Sequence, residues 1–298
     1  MTNMIEILTS DYGVHLAILV SLYLILAQSL NLTVGLGQLF NLAHVASYAV
    51  GAYATALLST EHSASFTVCV AVSISLCAAF ATLLGAISLR LTTDYFAIGT
   101  LAFSAVVSAL LINWKSVTHG VLGIPGIPRP ELLGIDFYDN GNFLALIGIF
   151  AVITQAILYC LYNSPCGRSL RALAEFERAA ASLGKNTRRT RNIALCVSSA
   201  LAGLAGSFFS YYLNYIDPSS FGLGEMVFIL TIVIVGSPGS FGGVIGATLF
   251  LVLLPEPLRF LDISSTYLGP MRQLLHALIL FGVVWWKRDK LFPQRRTV

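Results

Sequence analysis

The chain has 298 residues, of which 56% are hydrophobic and only 10% are charged, and its mean hydropathy is +0.81. Because a soluble domain carries about 25% charged residues, this composition excludes a water-soluble protein and requires the lipid bilayer as part of the solvent. The formal net charge of +3 is too small for a nucleic-acid-binding surface. We therefore expect an all-α, polytopic transmembrane helical bundle.

Seven apolar runs have roughly the length of about 20 residues that a membrane-spanning helix needs. In chain order they are Val14–Leu32, Phe40–Leu58, Phe66–Leu89, Tyr95–Ile112, Phe143–Tyr162, Asn192–Leu213 and Pro270–Trp286. With the interrupted stretch described next, they predict about eight to nine membrane segments in a single domain over residues 1–298.

One apolar stretch, Glu225–Leu254, is too long for a single span and is interrupted by "GSPGSFGG" (Gly236–Gly243). Thr33–Ala52 repeats its scheme of an apolar run, a glycine turn, a Phe and a second helix. We therefore expect broken or half helices near residues 33–41 and 236–243. Breaks at matching positions of two halves indicate the central site of a transporter. Chance similarity and ordinary glycine-mediated helix packing are alternatives.

The basic residues are concentrated in two regions. Seven lie in the middle of the chain, at Arg168, Arg171, Arg178, Lys185, Arg188, Arg189 and Arg191, and five at its end, at Lys287, Arg288, Lys290, Arg295 and Arg296. Cytoplasmic loops are enriched in Lys and Arg. The pattern predicts a cytoplasmic loop over about residues 164–191 and a cytoplasmic C-terminus. By alternation, the Gly/Pro-rich loop over about residues 113–142 and the N-terminus are external.

Polar residues within apolar runs are the candidates for lining a translocation path, because each is costly in a membrane unless it has a partner or faces a cavity. They are Asn31, Gln38, Asn41 and His44 at the first break, Thr100 and Ser104 on one helical face, and Ser237 and Ser240 at the second break. The alternative is structural: Ser and Thr bond to their own helix, and Asn and Gln join helices.

Glu225 is an acidic residue at the start of an apolar helix arm. The helix dipole favours a carboxylate at this position, so a simple cap near the outer surface is the plainer interpretation. A functional role in an ion-coupled cycle is the alternative.

The sequence offers no pattern for catalysis or metal binding. The five histidines are scattered without HxxxH or HExxH spacing, and GxxxxGK[ST] is absent. We therefore expect no catalytic residues, no metal and no cofactor on this chain, and no ATP site of the Walker type.

The central basic region contains an apolar stripe of roughly helical period, including Leu170, Leu173 and Ala180, and Gly184 is placed to end the helix. This predicts a short amphipathic helix, Arg171–Gly184, parallel to the cytoplasmic surface. Such a helix could simply bind anionic lipid headgroups.

Several segments resemble, in the same order, the permeases of ATP-binding cassette importers for branched-chain amino acids, specifically the second of their two permease subunits. They include "SLNLTVGLGQLFNLAHVASYAVGAYATALL", "LRLTTDYFAIGTLAF", "RALAEFERAAASLGKNTRRTRNIAL", "ILTIVIVGSPGSFGGVIGAT" and "LLPEPLR". The similarity runs from about Ser29 to the C-terminus. It implies a single permease domain that docks on an ATPase subunit through a coupling loop.

The resemblance also implies roles and partners. Residues of the coupling loop are Arg171, Glu177, Ala179, Ala180 and Gly184, although Arg178 interrupts the family's Glu-Ala-Ala. The implied partners are a homologous permease in a heterodimer, two ATPase subunits that bind ATP and Mg²⁺, and an external solute-binding protein, in a bacterial cytoplasmic (inner) membrane.

The implied substrates are branched-chain or other hydrophobic amino acids. The alternatives are a permease for urea or short amides, an ion-coupled secondary transporter, for which Glu225 is the candidate ion ligand, and a membrane enzyme, which the lack of a polar constellation disfavours.

Overall fold

A computed structural model describes residues 11–88, 91, 93–132, 135–256 and 265–291 and confirms the all-α prediction. The long helices are α1 (Asp11–Asn31, continued by a π-helical turn, Leu32–Leu36), α2 (His44–Glu61), α3 (Phe66–Ser88), α4 (Thr93–Asn113), α6 (Asn140–Asn163), α9 (Thr187–Leu213) and α12 (Ser265–Leu291). The shorter ones are α5 (Lys115–Thr118), α7 (Pro165–Glu175), α8 (Glu177–Ser182), α10 (Leu223–Val235) and α11 (Phe241–Leu253). Two-residue strands are β1 (Ile124–Pro125), β2 (Glu131–Leu132), β3 (Ile135–Asp136) and β4 (Tyr215–Ile216).

Six helical segments among the described residues are long and apolar enough to cross a membrane: Asp11–Leu36, Phe66–Ile87, Tyr95–Asn113, Asn140–Asn163, Thr187–Leu213 and Pro218–Val235. Two shorter apolar helices, Phe241–Leu253 and Gln273–Trp286, add to them. The chain is a multi-pass membrane protein.

Helix α9 lies at the centre of the bundle and packs against α1, α2 and α3. Glycines allow its closest approach to α2: a Cβ on Gly51 would lie 2.4 Å from Cα of Gly203. Without side chains at this crossing the two backbones touch, which increases dispersion contact between helices where the hydrophobic effect is weak. The crossing therefore fixes α2 and α9 as one packed unit.

Hydroxyl groups join the same helices. Thr55 Oγ1 donates to Ser207 Oγ at 2.8 Å and lies 2.8 Å from Ser73 Oγ, which in turn donates to the Gly51 carbonyl at 3.0 Å. All three side chains are buried. Each hydroxyl thus has a partner on a neighbouring helix, as polar residues in membrane bundles commonly do.

The two connecting regions lie at opposite ends of the bundle, because the 24-residue helix α6, roughly 36 Å long, separates them. At one end β1, in the loop over 113–142, pairs antiparallel with β4, which follows α9 and precedes α10. We call this the loop end and the opposite one, which carries α7 and α8, the coupling end. The α10–α11 arms leave from the loop end and return there, since residues before and at the start of α10 line one cleft with the end of α11.

Both predicted breaks are present. Helix α10 ends at Val235 and α11 begins at Phe241. At the first break, α1 ends in the π turn and the chain stays non-helical until His44. The expectation that α2 begins at Phe40 was wrong, because Gln38 has a left-handed φ of 50° and the Leu42 N–H bonds to the Thr100 hydroxyl instead of a helical carbonyl.

Part of the sequence-based interpretation falls outside the described residues. This applies to the N-terminal ten residues, to residues 257–264 with the end of the segment "LLPEPLR", and to the basic residues Arg295 and Arg296.

The predicted orientation is testable by single-cysteine labelling in a background without the native cysteines. Ser63 and Asp136 are exposed at the loop end and Asn186 is exposed at the coupling end. If the coupling end is cytoplasmic, a membrane-impermeant maleimide will label cysteines at 63 and 136 in intact cells, and a cysteine at 186 only after permeabilisation. Labelling of position 186 in intact cells would reverse the orientation.

Candidate functional site at the contact of two helix breaks

The two helix breaks, about 200 residues apart in sequence, touch each other. The Asn31 side-chain oxygen accepts the Gly239 N–H at 2.8 Å. A Cβ on Gly35 would lie 2.0 Å from that oxygen and 2.2 Å from the Gly239 nitrogen. We call Asn31, Gly35, Gly239 and Ser240 the break contact. Only glycine permits this approach, so the glycines that interrupt the two helices also bring them together.

Polar side chains of α1 satisfy backbone groups that the second break exposes. Gln28 Nε2 donates to the Phe241 carbonyl at 2.7 Å, and Asn31 Nδ2 lies 3.4 Å from the Ser240 carbonyl. Ser240 caps α11 by accepting the Gly243 N–H at 3.1 Å. Because unpaired backbone groups are costly in an apolar environment, these bonds stabilise the break as a defined structure.

His44 lies at the start of α2 in a second polar group. One ring nitrogen, Nε2, lies 3.2 Å from both the Leu26 carbonyl and Ser29 Oγ, and Nδ1 lies 3.3 Å from Ser198 Oγ. Ser198 also donates to the Ser29 carbonyl at 2.6 Å. His44 therefore joins α1, α2 and α9 and has no exposed surface.

Thr100 and Asn41 shape the chain between the first break and α2. Thr100 Oγ1 accepts the Leu42 N–H at 3.1 Å, and Asn41 Oδ1 accepts the Ala43 N–H at 3.2 Å. Both side chains are fully buried, and the amide nitrogen of Asn41 has no partner among the described residues.

Of the predicted path residues, Asn31 and Ser240 are in direct contact. The predicted path residues differ in how much of each side chain is exposed. Asn31, Asn41, His44 and Thr100 are fully buried, Ser104 and Ser237 are half-buried, and Gln38 and Ser240 are exposed. In this conformation the buried four bond within the chain. Their role in a path stays a prediction.

The coupling segment, residues 165–184, consists of two helices, so the expectation of one helix over Arg171–Gly184 was wrong. Phe176, with φ −142° and ψ 80°, ends α7 and precedes α8. The turn lets Leu170 and Leu173 of α7 and Ala180 of α8 all pack inward. A single straight helix would have directed these residues along one line.

Gly184 ends α8, as predicted, with a φ of 79°. Its N–H bonds to the Ala181 carbonyl at 3.0 Å, and the Lys185 N–H bonds to the Ala180 carbonyl at 3.2 Å. This is a Schellman motif, in which glycine adopts the left-handed conformation without cost to a side chain.

The predicted coupling residues occupy two faces of the segment. Ala180 is only 5% exposed and packs within the chain. Glu177 forms a bidentate ion pair with Arg191 at 3.0 and 3.1 Å, which attaches α8 to α9. The outer face carries the exposed Arg171 and Ala179. Two large apolar side chains of this segment are exposed, Phe176 (73%) and Leu183 (81%). Neither was among the predicted coupling residues.

The coupling segment also touches the first break. A Cβ on Gly37 would lie 3.3 Å from Leu170 Cδ1. Leu170 packs in a small apolar cluster with Leu32 and Leu36, and Phe241 of the second break packs against it. Leu170 is thus the direct contact between the coupling segment and the first break.

Glu225 lies in the first turn of α10, as predicted, and its carboxyl group is hydrogen-bonded to Tyr23 of α1. In the preceding turn, Asp217 accepts bonds from Ser219 and Ser220. Partial burial opposes ionisation of Asp217, but these bonds outweigh it and lower the pKa of this carboxyl group. The turn is therefore fixed by an ionised Asp217.

Comparison with known proteins identifies relatives that match most of the chain. The family model described as "Branched-chain amino acid transport system / permease component" matches residues 13–284. The high-affinity branched-chain amino acid transport system permease protein LivM of Escherichia coli (strain K12) is 35% identical over 307 residues, covering 95% of this chain and 70% of the relative.

Two further relatives are similar to this chain. LivM of Salmonella typhimurium (strain LT2) is 34% identical, covering 97% of this chain and 72% of the relative. The ribose import permease protein RbsC of Haemophilus influenzae is 27% identical, covering 68% of this chain and 64% of the relative. No solved structure matches the chain significantly.

The break contact predicts that alanine substitutions at two glycines will differ strongly in their effect on stability. Gly35→Ala should destabilise the protein by about 1–3 kcal/mol, because its Cβ overlaps Asn31 and Gly239. Gly246→Ala is the matched control, since nothing lies within 4 Å of that Cβ. The midpoint of thermal aggregation in detergent should fall for the first variant and stay unchanged or rise for the second. Equal midpoints would show that the breaks do not touch.

Proposed function

Because this chain belongs to the family of branched-chain amino acid transport permease components, we propose that it forms one half of the membrane pathway of an ATP-binding cassette importer for branched-chain amino acids. It is a LivM-type permease subunit. The family is not catalytic itself and binds no cofactor. The similarity to the two LivM proteins over nearly the whole chain is the observation that supports this proposal most strongly.

The remaining components follow from the same proposal. A homologous permease completes the pathway, two ATPase subunits bind at the coupling end, and an external solute-binding protein delivers substrate at the loop end. The membrane is the bacterial inner membrane, with the coupling end in the cytoplasm. The excess of Lys and Arg at the coupling end supports this orientation.

The outer face of the coupling segment supports its docking on an ATPase subunit. Phe176 and Leu183 are large, apolar and largely exposed, and they lie outside every segment apolar enough to span the membrane. Exposed apolar side chains rimmed by charged residues are typical of protein interfaces. Arg171 and Glu175, both exposed, supply such a polar rim. We assign Phe176 and Leu183 as the anchors of this interface.

The inner face supports transmission of movement. Leu170 touches the first break at Gly37, and the break contact joins the first break to the second. A displacement of the coupling segment therefore reaches both interrupted helices through packed side chains. Helix breaks are points where chain direction changes at small cost, and such points act as hinges in transporters.

Uptake by the reconstituted complex tests the proposal. The complete importer in liposomes, with external binding protein and internal ATP, should accumulate radiolabelled leucine, isoleucine or valine. Ionophores that dissipate proton and sodium gradients should leave initial uptake intact. Preference for urea or short amides would select the alternative substrate class. Gradient-driven uptake by this chain alone, without ATPase subunits, would contradict the proposal.

The anchor assignment predicts how truncation affects assembly. The double variant Phe176→Ala/Leu183→Ala should bind the ATPase subunits at least about tenfold more weakly, because buried aromatic anchors carry much of an interface's energy. Leu122→Ala is the matched control, since Leu122 is 83% exposed at the loop end. Co-purification of ATPase subunits measures the difference.

The lipid-surface alternative predicts the reverse. Neutralising Arg188 and Arg189 would then impair the segment, and truncating Phe176 and Leu183 would leave ATPase binding intact. That pattern would refute the assignment of Phe176 and Leu183 as interface anchors.

A further inference from the structure

A cleft of about 680 Å³ opens at the loop end, and none of the path residues predicted from the sequence lines it. Its walls come from α1, the turn before α10, the start of α10, the end of α11 and the outer half of α12. Small-molecule sites have volumes of roughly 300–1,000 Å³, so the cleft has room for an amino acid.

The charged residues that the structure describes in the cleft are acidic. Glu225 and Glu256 line it, and no Lys or Arg does so among the described residues. Glu225 is hydrogen-bonded to Tyr23. One carboxyl oxygen of Glu256 is buried and has no hydrogen-bond partner among the described residues. A buried carboxylate oxygen without a partner is unfavourable, so a cation bound in the cleft beside Glu256 would stabilise the charge of this side chain.

The cleft is also lined by hydrogen-bond donors. The first turn of α10 begins at Gly222, which has no side-chain cap, so its leading N–H groups have no helical or capping acceptor. The side-chain nitrogen of Gln273 lies 4.0 Å from the position of a Cβ on Gly224, next to these groups. N–H groups at a helix start favour a carboxylate.

The rest of the lining is aliphatic and aromatic. It includes Leu16, Leu19, Phe228, Leu251 and Val252. This wall suits a branched aliphatic side chain, and the two polar regions suit the charges of an amino-acid head group. The three kinds of surface, anionic, donor-rich and apolar, meet in one cavity.

We propose that this cleft binds the transported amino acid, with its ammonium group at Glu256 and Glu225, its carboxylate at the first turn of α10 and Gln273, and its aliphatic side chain against Leu251 and Val252. This inference rests on the proposed function, because it names the place where the substrate of that transporter binds. It requires both charges of the zwitterion and excludes urea and simple amides as good ligands.

Protection from labelling is the direct test. The intact importer in nanodiscs carries Val227→Cys, in a background lacking the native cysteines, because Val227 lines the cleft and is 38% exposed. Saturating leucine should slow maleimide labelling of this cysteine. Isocaproate, which lacks the ammonium group, and isoamylamine, which lacks the carboxylate, should not. Equal protection by all three compounds, or by none, would overturn the zwitterion site.

Transport by two further variants gives an independent measure. Glu256→Gln should raise the half-saturating leucine concentration for uptake about tenfold or more, as loss of a charged hydrogen bond does. Val227→Trp should block uptake by filling the cleft. Leu253→Trp is the control: Leu253 is 43% exposed on α11 but does not line the cleft, so its uptake and ATP hydrolysis should match the wild type.

The outcomes separate this inference from the proposed function. A wild-type importer that takes up no branched-chain amino acid contradicts the function itself. Normal wild-type uptake with unchanged kinetics in Glu256→Gln and Val227→Trp contradicts only the cleft. Loss of the partner permease from Val227→Trp during purification would identify the cleft as a subunit interface and would also overturn the site.

Discussion

An interrupted helix in an apolar protein leaves backbone N–H and C=O groups without helical partners, and these groups must be satisfied internally. In this permease Asn31 and Gln28 satisfy them: one side chain accepts the Gly239 N–H, and the other donates to the Phe241 carbonyl. The α10–α11 pair is thereby attached to α1. The position of the pair, and of every surface it forms, depends on this polar connection and on the absence of a side chain at Gly35.

The same connection explains why the coupling segment has two faces. Its inner face packs Leu170 against the first break, and its outer face presents Phe176 and Leu183. The change of direction at Phe176 allows both. Two short helices set at an angle can bury Leu170 and Ala180 while Phe176 and Leu183 face outward. The bidentate Glu177–Arg191 pair then sets the position of α8 on α9.

Two parts of the bundle differ in how their helices are packed. Helices α2, α3 and α9 meet through glycines and mutually bonded hydroxyl groups, an arrangement with few alternatives, since any displacement leaves a buried hydroxyl unpaired. The α10–α11 pair is held at its tip by side-chain bonds to exposed backbone and borders an open cleft at its base. The pair that carries the proposed substrate site is attached to α1, and α1 in turn packs against α9 of the tightly packed unit.

The sequence by itself determined the features that depend on neighbouring residues. Apolar length specified the spans, glycine and proline specified the interruption at Gly236–Gly243, and Gly184 specified the end of α8. The tertiary structure alone decided that the two breaks touch, that Ala180 packs inward and that Glu256 and Glu225 line one cavity with Gln273. These facts join residues that are far apart in sequence, 213 positions in the Gln28–Phe241 bond, and local propensity contains no information about such distances. The kink at Phe176 also comes from tertiary packing. The neighbouring sequence contains no Gly or Pro that would break a helix, and we attribute the break to the burial of Leu170 and Ala180 against different neighbours.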